Sequence, residues 1–176
     1  MSQVFTPNTP VLNDLLMLEM IADGGDPTAS GSTYTLEVGD DSIFQVVAQR
    51  GTSITVDSGA DTELSISAGL YQITFNGWIQ LNGNVSGQLD YQFRAKTSGF
   101  PAYNVAFDRN ITQFGSTATV QPIVDPSHTV LFNAVADTSI FFEINVVTGN
   151  AQTYKLRGDA VSSITNLQVL RIGDAV

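Results

Sequence analysis

The side chains with which this chain could do chemistry are few and poorly grouped. His128 is the only histidine and stands in Asp125-Pro-Ser-His128. A Ser–His–Asp relay needs members brought together from separate segments. Ser127 and Asp125 are too local for that, so His128 is expected in a loop ahead of a strand at Thr129–Ala134. Asp40-Asp41 and Asp57–Asp61 could offer loop oxygens to calcium, but neither has the spacing of a known calcium loop, and acidic residues suit turns for backbone reasons. A glycosidase needs two carboxylates across one groove; Asp90 with Glu143 is such a pair only arbitrarily. There is no phosphate loop, dinucleotide fingerprint or metal-ligand cluster. Asn84-Val-Ser86 and Asn110-Ile-Thr112 match glycosylation sequons, and Arg157-Gly-Asp159 has the letters of an integrin-binding tripeptide but the composition of a turn. Three aromatics remain as candidate ligand contacts: Trp78, Phe100 and Tyr103. They could stack on a host-surface glycan, although Trp and Tyr are equally suited to a subunit interface. A non-enzymatic chain without cofactor or metal is the expectation.

Composition narrows the partners. The 176 residues carry 17 acids against 7 Lys and Arg, a formal net charge of −10. Phosphate binding needs clustered cations, so neither direct nucleic-acid binding nor docking to anionic lipid is expected. With no cysteine, disulfides and thiolate sites are excluded. Only 14% of residues are charged while 43% are hydrophobic. A surface so poor in charge must be covered by Ser, Thr, Asn, Gln and Gly, which suits β proteins and oligomers. Val11–Ile21 is too short and too acidic for a membrane span, so no membrane insertion is expected. The absence of a basic leader suggests synthesis in a host cytoplasm.

The elements that must position these residues are mostly strands. From Gly69 onward Tyr71, Ile73, Phe75, Ile79 and Leu81 alternate with Gln72, Thr74, Asn76 and Gln80, the period of a half-buried strand. Gly77 is a candidate bend, and Asn82-Gly83 is a hairpin signal. Short strands are expected at 34–38, 43–49, 53–56, 63–67, 70–81, 88–96, 103–107, 117–123, 129–134, 140–147 and 163–172, separated by Gly-, Asp- and Pro-rich turns. This density indicates an all-β jelly-roll sandwich. Ahead of it, residues 1–10 form an expected arm with Val4 and Phe5 as its apolar residues. Thr9-Pro10 can start a helix over the run Val11–Ala22, whose apolar residues surround the axis and call for burial; an irregular or strand segment is the alternative, because about a dozen residues is marginal for a lone helix. Residues 23–33 have linker composition. The expected division is residues 1–32 as arm, short helix and linker, and 33–176 as the β domain.

Leu64-Ser-Ile-Ser-Ala-Gly-Leu-Tyr-Gln-Ile-Thr-Phe-Asn-Gly-Trp78 resembles a segment of the C1q and tumour-necrosis-factor-like jelly rolls. There a strand of the form Gly-x-Tyr-x-apolar-x-aromatic follows a short alternating strand. Gly69, Tyr71, Ile73 and Phe75 match the first, and Leu64 and Ile66 the second. Ala136–Ile144 and Ser162–Ile172 resemble later strands of that fold more loosely, without its Gly-Asp turn and with Leu for its closing aromatic. The resemblance covers about residues 50–172. It implies a homotrimer, with Tyr71 and Phe75 packing near the threefold axis. A compact trimer without stalk or cysteine looks like a tailed-phage virion protein, either a capsid decoration protein or a fibre head. The expected function is that of a trimeric cement protein held to the major capsid protein, or another virion component, through Val4, Phe5, Leu12, Leu15, Leu16 and Met20. The alternative is a receptor- or glycan-binding fibre head. Either is located in the virion.

Overall fold

Period-two burial runs through residues 15–20, 63–66, 69–76, 129–134, 139–146, 153–156 and 166–169 of the computed structural model, which describes residues 13–24, 27–57, 59–82, 86–97, 107–115, 123–124, 127–148, 153–159, 161 and 164–176. These form fifteen strands: β1 Leu15–Met20, β2 Thr28–Ala29, β3 Thr33–Thr35, β4 Phe44–Arg50, β5 Ile54–Val56, β6 Glu63–Ile66, β7 Gly69–Asn76, β8 Ile79–Asn82, β9 Ser86–Thr97, β10 Phe107–Gly115, β11 Ile123–Val124, β12 Ser127–Ala134, β13 Thr138–Thr148, β14 Thr153–Leu156 and β15 Asn166–Gly173. A five-stranded sheet runs β12-β7-β15-β1-β4. A second sheet runs β10-β9-β13-β6-β5, with β3 also on β13, and a small third sheet runs β11-β8-β14-β2. The strand pairings are antiparallel throughout.

The first two sheets face each other across the core. Phe75 of β7 stacks on Phe93 of β9 at 4.6 Å between ring centroids and 7° between planes, and Phe93 lies 6.0 Å from Phe142 of β13. Leu16, Leu18, Met20, Tyr71, Ile73, Leu167 and Val169 fill the same layer from the five-stranded sheet, all 1% exposed or less. Each large apolar side chain so buried contributes about 1.5–3 kcal/mol relative to exposure.

The apolar run after Pro10 is where the structure departs most from the sequence-based expectation. Residues 15–20 form strand β1, not a helix. β1 hydrogen-bonds to β15 on one edge and β4 on the other, so its backbone groups are satisfied by neighbours that no local pattern reveals. Leu16, Leu18 and Met20 point into the core, while Leu15, Met17 and Glu19 are half-buried on the opposite face. A central strand apolar on both faces has the same composition as a buried helix, and a helix of about a dozen residues is marginal by itself. β1 therefore sits inside the β domain, and β2 pairs with β14 of the third sheet, so ordered structure crosses the expected boundary at residue 32.

The long alternating strand from Gly69 breaks at Gly77-Trp78. β7 stays in the five-stranded sheet and β8 passes into the third. Thr165, fully buried, holds this corner. Its Oγ1 accepts from the Trp78 N–H (3.0 Å) and donates to the Arg157 carbonyl (2.6 Å), and its carbonyl accepts from the Met20 N–H (2.9 Å). β8 and β9 lie in different sheets, so Asn82-Gly83 does not join a hairpin. β10 and β14 were not anticipated. β12 begins at Ser127, which places His128 in a strand opposite Phe75 rather than in a loop.

Candidate functional site

The five-stranded sheet has a second face, turned away from the core, and its register orders that face in rows. One row runs Leu131, Gln72, Leu170, Leu15 and Arg50 across β12, β7, β15, β1 and β4. The next runs Thr129, Thr74, Gln168, Met17 and Ala48, and the third Ser127, Asn76, Asn166, Glu19 and Gln45. Leu70 lies beyond the leucine row, opposite Asn133 on one side and Gly173 on the other. The face is thus apolar at one end and amide- and hydroxyl-lined at the other. The polar rows are tied by short bonds: Ser127 Oγ donates to Asn76 Oδ1 (2.6 Å), Asn76 Nδ2 to Asn166 Oδ1 (2.8 Å), and the Thr74 and Thr129 hydroxyls share a bond of 3.0 Å. Across the three rows the only charges are Glu19 and, at the rim, Arg50.

Exposed apolar side chains gather beside this face. Leu131 is 59% exposed, Val135 77%, Ile172 36% and Val176 89%. Ordinary surfaces carry scattered apolar residues, but a contiguous group rimmed by polar ones marks a contact surface.

The end of the sheet next to the leucine row is a dense polar junction. Asp14 Oδ2 accepts from the Ser53 N–H at 2.9 Å, and bonds from Ser53 hold the Asp14 carboxyl below its usual range. Gly51, at φ +77°, lies against that carboxylate, and a Cβ there would run into it. Arg171 Nη2 donates to the Ala68 carbonyl and to Asp174 Oδ1, both at 3.1 Å. Its Nε occupies space a side chain on Gly69 would need, 2.6 Å from the site of a Cβ. The Gly173 carbonyl stands 3.1 Å from the same point, so a side chain at the start of the Gly-x-Tyr strand would require Arg171 to move.

Against this geometry the sequence-derived candidates fall into groups. Tyr71 and Phe75 point into the chain's own core, 0% and 1% exposed. Tyr71 donates its hydroxyl proton to the Ser67 carbonyl at 2.7 Å, and burial pushes its pKa up. On β7 the outward residues are of opposite parity: Leu70, Gln72 and Thr74. Leu16 and Met20 are likewise committed to the core, whereas Leu15 is half-buried on the outer face. Val4, Phe5, Leu12, Phe100 and Tyr103 lie outside the described residues. Trp78 is half-buried at the β7–β8 corner, its N–H and carbonyl both bonded.

Several of the remaining chemistry-bearing groups make contacts within the fold. Lys96 Nζ meets Glu143 Oε2 at 2.5 Å across β9 and β13. Asp40 Oδ1 accepts from the Ser42 N–H and hydroxyl (2.8 and 2.7 Å), and Asp57 Oδ1 from the Gly59 N–H (3.0 Å), as turn caps. Among the described residues no group of three or more His, Cys, Asp or Glu could hold a metal ion. Arg157-Gly-Asp159 is woven into the corner: Arg157 pairs with Asp23 (2.8 Å) and Gln80 (2.6 Å), and the Asp159 N–H donates to the Met20 carbonyl (3.1 Å).

Of the four outer-face leucines, Leu15 was a candidate only as an anchor residue, and Leu70, Leu131 and Leu170 were missed because the large aromatics of β7 stand at the opposite parity. Their signal was present: leucines stand at the nominally polar positions of four strands that turn out to be adjacent.

The chain superposes on known structures along most of its length. Murine APRIL at pH 5.0 superposes with a TM-score of 0.52 at 12% identity, over 91% of this chain and 99% of that one. Murine APRIL at pH 8.0 gives 0.53 at 11%, with the same coverage. The chain has a tumour-necrosis-factor-like jelly-roll fold. Identity this low carries the fold alone. The structure of Eiger TNF from S. frugiperda is also similar, at a TM-score of 0.49 and 7% identity over 93% of this chain and 96% of that one. No family model matches the sequence, and no curated protein matches it.

Proposed function

We propose that this chain is a non-enzymatic, homotrimeric structural protein of a tailed-phage virion. In this reading it decorates the capsid, contacting its own copies through the outer face of the five-stranded sheet and the major capsid protein through its N-terminal segment. The observation that supports self-assembly is the near-absence of charge on that face. Copies with a net charge of −10 repel one another, and a sheet face with apolar and amide rows is where such copies approach at least electrostatic cost. The fold is one that the sequence resemblance associates with trimers.

The attachment role rests on where the segment before β1 leaves the domain. Arg50 Nε donates to the Asn13 carbonyl at 2.8 Å, and the Arg171 N–H donates to the Asp14 carbonyl at 2.8 Å. The chain therefore enters the sheet at the end where β15 finishes. With Leu16 and Met20 in the core, the anchor reduces to residues before Asn13. Three copies sharing weak contacts would bind a shell by avidity.

Two measurements test this reading. Sedimentation equilibrium should return three times the 18.8 kDa chain mass; a monomer at all concentrations removes the trimer. Gold-labelled antibody against the chain should mark the shell of virions. Label confined to the tail tip indicates the fibre-head alternative, and unlabelled particles sink the virion reading.

A further inference from the structure

The third sheet carries an outward surface of different chemistry. Ile79, Leu81, Tyr154 and Leu156 turn inward and are 2% exposed or less, so alternation sends Trp78, Gln80, Lys155 and Arg157 outward. Gln80 stands opposite Lys155, and the Arg157 N–H donates to the Trp78 carbonyl at 2.8 Å, which continues the same register. The four side chains form one patch, with directly opposed Cβ atoms about 5 Å apart, and all four are half-buried. Polar bonds fix its geometry. Arg157 Nη1 donates to Gln80 Oε1 at 2.6 Å and Nε to Asp23 Oδ1 at 2.8 Å, while Lys155 Nζ lies 3.4 Å from Asp23 Oδ2. Asp23 Oδ1 also accepts from the Gly158 N–H at 3.2 Å, and Thr165 bonds the backbone of both Trp78 and Arg157.

Ligand sites set a few fixed polar groups beside an apolar surface, and here planar amide, carboxylate and guanidinium groups are already oriented beside an indole. Asp23 and the exposed Asp159 stand with Lys155 and Arg157 at this corner. Two acids with two cations favour a ligand without net charge. A neutral pyranose matches the patch. The C–H-rich face of its ring packs on an aromatic face, and its neighbouring hydroxyls both donate and accept, which suits carboxylate and amide oxygens set beside N–H donors. We infer that Trp78, Gln80, Asp23, Lys155 and Arg157 form a binding site for a neutral saccharide, with Trp78 as the stacking platform. Because the polar groups are held in place before a ligand arrives, little side-chain freedom is lost on binding. The inference goes beyond the structural role proposed above and does not depend on the oligomeric state; on a virion, many weak copies of the site would add up to adhesion by avidity.

Trp78 is the only tryptophan, so its emission reads this site directly. The test titrates the full chain with the methyl glycosides of glucose, galactose, mannose and N-acetylglucosamine, and with sorbitol as a polyol that has no ring face. At least one glycoside should shift the emission saturably, and sorbitol should not. Gln80→Ala should weaken that glycoside roughly ten-fold, the weight of one hydrogen bond, with the far-UV circular dichroism unchanged. Trp78→Leu should abolish the glycoside's saturation-transfer NMR signals. The inference is overturned by the absence of a saturable shift with all of these glycosides, by a shift that sorbitol reproduces, or by undiminished binding in both variants. Each of those outcomes leaves the virion reading standing, because its own tests measure oligomeric mass and labelling of the shell.

Discussion

The two faces of the five-stranded sheet are built from the same strands and face different tasks. On the inner face Leu16, Leu18, Met20, Tyr71, Ile73, Phe75, Leu167 and Val169 are sealed by the opposite sheet. Its aromatic stack of Phe75, Phe93 and Phe142 spans the gap between them. On the outer face leucines alternate with amides and hydroxyls, already cross-bonded within the chain, and the apolar part is left half-covered. One residue of displacement along β7 exchanges one face for the other. Large aromatics at one parity serve the fold of the single chain, whereas smaller apolar residues at the other leave a surface that a second chain can cover.

Truncation on the inner face should separate the two most sharply. Phe75→Ala removes one end of the stack and is expected to cost about 3–5 kcal/mol of chain stability, measured by urea unfolding at a concentration where the parent is monomeric. A cost below about 1 kcal/mol would mean that the inner face is not the main source of stability.

The buried corner should give an intermediate effect. Thr165→Val keeps the shape but removes the hydroxyl between the Trp78 N–H and the Arg157 carbonyl. Leaving a buried donor unsatisfied costs about 1–3 kcal/mol. Thermal unfolding should register that loss without a change in oligomeric mass; an unchanged melting temperature would show the corner held by packing alone.

Smallest for the single chain, and largest for the assembly, is Leu131→Asp on the outer face. At 59% exposure the new carboxylate stays hydrated, so stability should move by no more than about 0.5 kcal/mol. Sedimentation should nevertheless show dissociation to monomers. A variant that remains trimeric would put the contact elsewhere and dissolve the distinction between the faces.

Much of the fold was legible along the chain. Turn residues bounded most strands, and alternation from Gly69 marked which β7 side chains are buried. Gly77 was correctly suspected as a break, because a residue without Cβ lets one strand leave its sheet for another. The failures share a cause. β1 looked helical because it is apolar on both sides, and that follows only from lying between β15 and β4. β14, Thr-Tyr-Lys-Leu, is too short and mixed to stand out, although Tyr154 is 1% exposed and its hydroxyl lies 2.8 Å from the Ser32 carbonyl; burial raises its pKa to about 12.

The candidate surface was less legible than the fold. Tyr71 and Phe75 were sought at an interface on the strength of size and resemblance, yet the opposing sheet takes them. By itself the sequence determined local matters: an acidic, cysteine-free, strand-rich chain, with the parity of its strongest strand. These depend on neighbours one or two residues away. Only the tertiary structure decided which parity meets another sheet, that leucines from three strands fall into one row, and that Asn133 holds Val176 forty-three residues on. Those facts depend on strand order and register, which hydrogen bonds between distant segments set and which periodicity within one segment does not contain.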